Sequence, residues 1–146
     1  MAFWNKLKKQ RFLIGLVSGA KAGALGGSLL GLTLGFYASI VEHCQGIPCL
    51  LFPISYLLFF SLLFGIVIAS FLGLVLTILI VKEPILVRTS IVIGILVGAC
   101  FSLFILLDNN EFTFIAILLA VLNIFWGVRA SLYGVNNFLE KIKEIA

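Results

Sequence analysis

The sequence predicts an all-α integral membrane protein: four transmembrane helices in an antiparallel bundle, both termini cytoplasmic, and a short interfacial amphipathic segment at each end. Three observations carry that prediction. They are an apolar excess that no single aqueous core could bury, four apolar stretches of spanning length, and cations confined to one side. The 146 residues are 62% hydrophobic and only 11% charged, with a mean hydropathy of +1.25. Soluble domains are about 45–50% apolar and about 25% charged. In water the surplus Leu, Ile, Val and Phe would remain as exposed patches and aggregate. A hydrocarbon solvent removes that problem, and the 14 glycines suit it, since Gly is commoner in membrane helices than in soluble ones.

A spanning helix needs about 20 mostly apolar residues. The first such stretch runs from about Ala22 to Val41 and the second, after Pro53, from about Ile54 to Val81. The third opens at Pro84, a favoured first-turn residue, and reaches about Leu107; the fourth covers about Phe112 to Ser131. The connections between them are too short to hold a folded domain, so residues 1–146 form one membrane domain with sequential neighbours antiparallel.

Orientation follows from the cations. With the N-terminus inside, Lys6, Lys8, Lys9, Arg11, Lys21, Lys82, Arg88, Arg129, Lys141 and Lys143 all fall on the cytoplasmic side, and these are all ten in the chain. The outer side receives Glu42, Asp108 and Glu111 and no cation. The positive-inside rule therefore places the chain in a bacterial inner membrane or an equivalent membrane, crossing it several times. The charge of +4 is explained by topology and by contact with anionic lipid at the basic cytoplasmic face; no nucleic-acid-binding module accompanies it. The stretch from Lys6 to Ala22 imitates a signal peptide. Cleavage there would leave the new N-terminus outside and invert the topology, so the segment is expected to stay.

Both ends read as interfacial pieces. Residues 3–20 set Phe3, Trp4, Leu7, Phe12 and Leu13 beside Lys6, Lys8, Lys9 and Arg11. In the tail, about 136–146, Phe138, Leu139, Ile142 and Ile145 oppose Glu140, Lys141, Lys143 and Glu144. Such patterns favour helices lying in the interface plane.

The most specific motif is a ladder on the first helix: Gly15, Gly19, Gly23, Gly27, Gly31 and Gly35, four residues apart without a break, with Gly26 in addition. Glycines at that spacing let another backbone approach closely. Each four-residue step advances about 400°, so the stripe drifts about 40° per step on a straight helix. One partner can follow it only with a right-handed crossing; otherwise its two ends meet different neighbours. That partner is a helix of the same chain, a helix of another subunit, or a lipid or pigment. Gly65, Ala69 and Gly73 on the second helix form weaker faces of the same kind. So do Gly94 and Gly98 on the third and Ala116 and Ala120 on the fourth.

Candidates for chemistry are few. Lys21 is a buried cation if the first span starts at Phe12, and a snorkelling interfacial one if it starts at Ala22. Asn123, at mid-helix, is a possible polar element of a pore or a bond between helices. No carboxylate falls inside a span, which speaks against proton- or sodium-coupled transport. Cys44 and Cys49 share the outer loop and could close a disulfide there, or bind a metal together with Glu42 and His43. Paired CxxC spacing is missing, and so are a phosphate-cradling loop and a nucleophile–base pair. None of the motifs used by four-helix transporters, fluoride channels or membrane thiol oxidoreductases is found.

The expected function is a non-enzymatic membrane subunit. It packs through small-residue faces, in the bilayer, against other membrane protein subunits or copies of itself. The alternatives are a homo-oligomeric pore, and a thiol-redox or metal-dependent protein using the Cys44/Cys49 loop. No cofactor is indicated.

Overall fold

The computed structural model describes residues 2–41, 46–79, 83–107 and 113–144, with side chains placed outside 2–9, 41, 50, 77–79, 104–106 and 113. All regular structure among them is helical: α1 (Ala2–Val41), α2 (Ile47–Leu79), α3 (Glu83–Leu107) and α4 (Thr113–Lys143). Each contains a stretch long and apolar enough to cross a membrane: Gln10–Ile40, Ile47–Leu76, Glu83–Leu103 and Phe114–Lys143.

Three boundaries differ from the sequence reading, each for a local reason. Residues 3–20 are not a separate piece: α1 runs through them unbroken, since no proline or helix break separates Ala2 from Val41. At 1.5 Å per residue its 40 residues span about 60 Å, twice a hydrocarbon core. The tail likewise continues α4, whose last turn carries Lys141 and Lys143 next to the negative end of the helix dipole. Finally, α2 begins at Ile47, behind Gly46 with its φ of +99°, and so contains Pro53. Pro48 sits in the first turn, where a missing N–H leaves nothing unpaired; Pro53 lies deeper and removes one i→i−4 bond.

Laid out across the fold, the helices follow the order α2, α1, α4, α3. α1 packs along α2 on one side and α4 on the other, and α4 carries α3. α2 and α3 adjoin in sequence, yet no packed seam joins them. In each seam the partner number falls as the helix number rises. Gly19, Gly23, Gly27 and Gly35 meet Ala69, Gly65, Ser61 and Ile54; Gly94 and Gly98 meet Gly127 and Ile124. Gly26 meets Ala130, and Gly134 meets Ala22.

The interior is built from small side chains. The largest fully buried one is Asn123, at 0% exposure. The main hydrophobic cluster is Tyr37 against Ala116, with Leu34 and Leu119 packed on it. Tyr37 therefore lies inside the helix packing, whereas Tyr56 and Tyr133, the other tyrosines, are exposed.

Candidate functional site: glycine seams and an apolar cleft

The glycine ladder faces α2 over its whole length. A Cβ at Gly19, Gly23 or Gly27 would strike the backbone carbonyl of Ala69, Gly65 or Ser61. At Gly31 and Gly35 it would lie 2.7 Å from the Leu58 Cα and 2.6 Å from the Ile54 Cα. α2 answers with its own four-residue series, Ser61, Gly65, Ala69 and Gly73; a Cβ at Gly73 would sit 2.5 Å from the Gly15 carbonyl oxygen. Backbone therefore rests on backbone, the geometry that gives dispersion contacts and Cα–H···O bonds. Because the drifting stripe stays on one partner, α1 and α2 must wrap with the right-handed sense of a GxxxG pair.

The third helix uses the same device against the fourth. A Cβ at Gly94 would meet the Gly127 carbonyl at 2.6 Å, and one at Gly98 the Asn123 carbonyl at 2.7 Å. One turn on, the Ser102 hydroxyl lies 2.8 Å from the Gly98 carbonyl and 2.9 Å from the Ala120 carbonyl across the seam. Ala120 thus serves α3, while Ala116 serves α1 through Tyr37.

Polar side chains join α1 to α4. The Ser18 hydroxyl donates to Asn137 Oδ1 at 3.2 Å. Fifteen residues further along α1, Thr33 Oγ1 lies 2.8 Å from the Leu30 carbonyl and 2.5 Å from Asn123 Oδ1. One hydroxyl proton cannot serve both acceptors, and Asn123 Nδ2 is buried without a partner among the described residues. A half-turn of the amide resolves both faults: Nδ2 donates to Thr33 Oγ1, which donates to the Leu30 carbonyl. Amide N and O are assigned by such networks, and an unpaired acceptor is tolerated better than an unpaired donor.

Because α2 and α3 part, a cleft of about 400 Å³ opens between them above α1 and α4. Its floor is Gly15, Gly19, Ala22, Gly23, Gly26 and Gly27 of α1 with Gly127, Ala130 and Gly134 of α4. Its walls include Phe64, Ile68 and Leu72 of α2 and Ile93, Leu96 and Phe101 of α3. On α1 the lining ends at Leu30 and on α4 at Gly127, so neither Thr33 nor Asn123 belongs to it, while on α3 it continues past Gly98, the residue opposite Asn123, to Phe101.

The remaining candidates lie elsewhere. Lys21 is exposed on a face of α1 flanked by exposed Val17 and Leu25, turned away from α2 and α4. Asn123 lies within the helix packing, outside the cleft lining. Cys49 is disulfide-bonded and Cys100, on the cleft wall, is free; Glu42, His43 and Cys44 lie outside the described residues. Among the described residues no three His, Cys, Asp or Glu side chains form a metal-binding group. The ion pairs Lys141–Glu144 at 2.6 Å and Lys143–Glu83 at 3.9 Å are exposed and contribute little. Lys143–Glu83 does bring the end of α4 beside the start of α3.

Sequence reading missed Gly127, Ala130 and Gly134: the first two lie inside the fourth span it drew, only Gly134 falls beyond its end at Ser131, and their spacing of three and four was the visible signal. No protein-family model matches the chain, and no curated protein and no solved structure matches it either.

Proposed function

We propose that the chain is a non-enzymatic subunit with four membrane spans in antiparallel order, both termini cytoplasmic, that assembles with other membrane proteins or with further copies of itself. The observation that carries this reading is the outer face of α2. This helix has one packed neighbour, and its opposite side exposes Phe52, Phe59, Phe60, Phe64, Val67 and Phe71. Aromatic side chains are enriched where protein interfaces form. The glycine ladder is engaged by α2 of the same chain, so the assembly surface is the outer α2 face rather than the ladder.

The opposed registers and the Lys143–Glu83 contact gather the start of α1, the start of α3 and the end of α4 at one end. That end carries the basic cluster, which supports a cytoplasmic position against anionic lipid. A disulfide between Cys49 and Cys44 clamps the outer turn in this reading. The apolar walls of the cleft favour a subunit over a pore.

Gentle extraction from the native membrane, followed by the mass and composition of the particle, tests the proposal. A particle with different proteins, or with several copies, lost when Phe59 and Phe60 become Ala, supports it. A monodisperse single chain overturns it.

A further inference from the structure

We infer that the flank of the α1–α4 seam opposite the cleft holds one anionic phospholipid, its phosphate bound between Lys21 and Arg129 at the level of Tyr133. The inference rests on the four-span reading and not on assembly through α2.

The seam itself sorts the side chains. Its small contacts are Ala22 on Gly134 and Gly26 on Ala130. The residue after each of these four, Gly23, Val135, Gly27 or Ser131, lines the cleft. The residue before each, Lys21, Tyr133, Leu25 or Arg129, is exposed. One residue is about 100° of turn, so the residues before and after a contact part to opposite sides of the seam. The cleft lining carries no charged residue, whereas the opposite flank carries two cations.

The same register brings those cations to one place. Along the helix axes, Tyr133 lies about 3 Å from the level of Lys21 and about 6 Å from that of Arg129. Extended lysine and arginine arms reach about 6–7 Å from the Cα, so both cations and the Tyr133 hydroxyl can meet one phosphate. Arg129 also lies over the Phe125 ring, 5.8 Å from its centroid, a contact that uses the face of the guanidinium and leaves its N–H edge. Exposed Leu25 and Phe125 continue the flank as an apolar surface for the acyl chains.

No acid of the chain neutralises the pair. Neither Lys21 nor Arg129 forms an ion pair among the described residues. Glu83 and Glu144 pair with Lys143 and Lys141 at the end of the bundle, and Glu140 stands about 16 Å along α4 from Arg129. Depth points to a headgroup as the missing anion. Lys21 is nineteen residues from Ile40 and Tyr133 nineteen from Phe114, the far ends of the two apolar spans. Both distances are about 28 Å, close to the thickness of a hydrocarbon core. The flank therefore meets the cytoplasmic headgroups at this level, where basic sites between helices recruit anionic lipid.

The test uses the full-length protein with Trp4→Phe, which leaves Trp126, three residues deeper than Arg129, as the only tryptophan. It is reconstituted in phosphatidylcholine vesicles, and lipids with brominated chains quench that residue. We expect phosphatidylglycerol to bind at least about fivefold more strongly than phosphatidylcholine with the same chains, the scale of one cation near an anionic lipid. Lys21→Gln or Arg129→Gln should bring the two lipids within about twofold of each other, with unchanged helical content by circular dichroism. Lys143→Gln removes the same charge from the end of α4 and should leave the preference intact. An equal loss in all three variants, or a preference removed by inorganic phosphate but not by chloride at the same ionic strength, overturns the inference. Release of the chain from the vesicles by alkaline carbonate overturns the four-span reading and the inference with it; retention without a preference overturns the inference alone.

Discussion

The two faces of α1 hold their neighbours by different means. Toward α2, no side-chain hydrogen bond crosses the seam among the described residues. Ser61 and Ser70 donate to their own helix, and glycine backbone lies on glycine backbone. Toward α4, hydrogen bonds near the two ends, Ser18–Asn137 and Thr33–Asn123, bracket the small contacts Ala22–Gly134 and Gly26–Ala130. The difference separates closeness from register. A four-residue ladder on a four-residue ladder looks nearly the same after a one-turn slip. The bulkier Leu58 and Ile54 against Gly31 and Gly35, and the polar pairs on the α4 side, make the slipped alternatives unequal.

Substitutions can break the comparison from either side. The largest effect belongs to the glycine seam: Gly23→Leu drives a side chain into the Gly65 backbone, which cannot turn aside as a rotamer could. We expect a loss of about 3 kcal/mol or more, the upper end for overpacking, in the unfolding free energy measured in detergent. A loss below about 1 kcal/mol would mean the two backbones are not that close. Next comes Asn123→Ala, which removes a bond to Thr33 and leaves a small void. We expect about 1–2 kcal/mol in the same assay, since Thr33 keeps the Leu30 carbonyl as its acceptor. A cost above about 4 kcal/mol would show that Thr33 depends on the amide more than the geometry allows. The smallest effect is that of Ser18→Ala, about 0.6 kcal/mol, the average for one bond between helices in a membrane protein. Should it match Gly23→Leu, the division between close approach and polar register fails.

Much of this arrangement was legible in advance, and the illegible part has a common cause. Six glycines at a spacing of four announce a backbone-to-backbone contact, but in a hydrocarbon surrounding every helix with a small face is a fitting partner. The spacing alone could not choose among α2, another subunit and a lipid. Ser90 stands four residues before Gly94 in the series Ser90, Gly94, Gly98, Ser102, so its place on the small face of α3 was visible. That its hydroxyl does not bond the Leu86 carbonyl was not, since a serine elsewhere in a helix usually finds an acceptor on its own backbone. The place of Tyr37 was illegible for a related reason: an aromatic near a helix end fits an interface as well as an interior, and here Ala116 leaves room for it inside.

By itself the sequence determined that the chain forms four long apolar helices. Composition and the distance between polar breaks settle this, because backbone groups in an apolar surrounding must be paired within each helix. Only the tertiary structure decided that α1 and α4 meet at the centre while α2 and α3 stand apart. Small faces attract one another almost equally in such a surrounding. The choice among them falls to steric fit at the level of single carbonyls, and with it comes the cleft between α2 and α3.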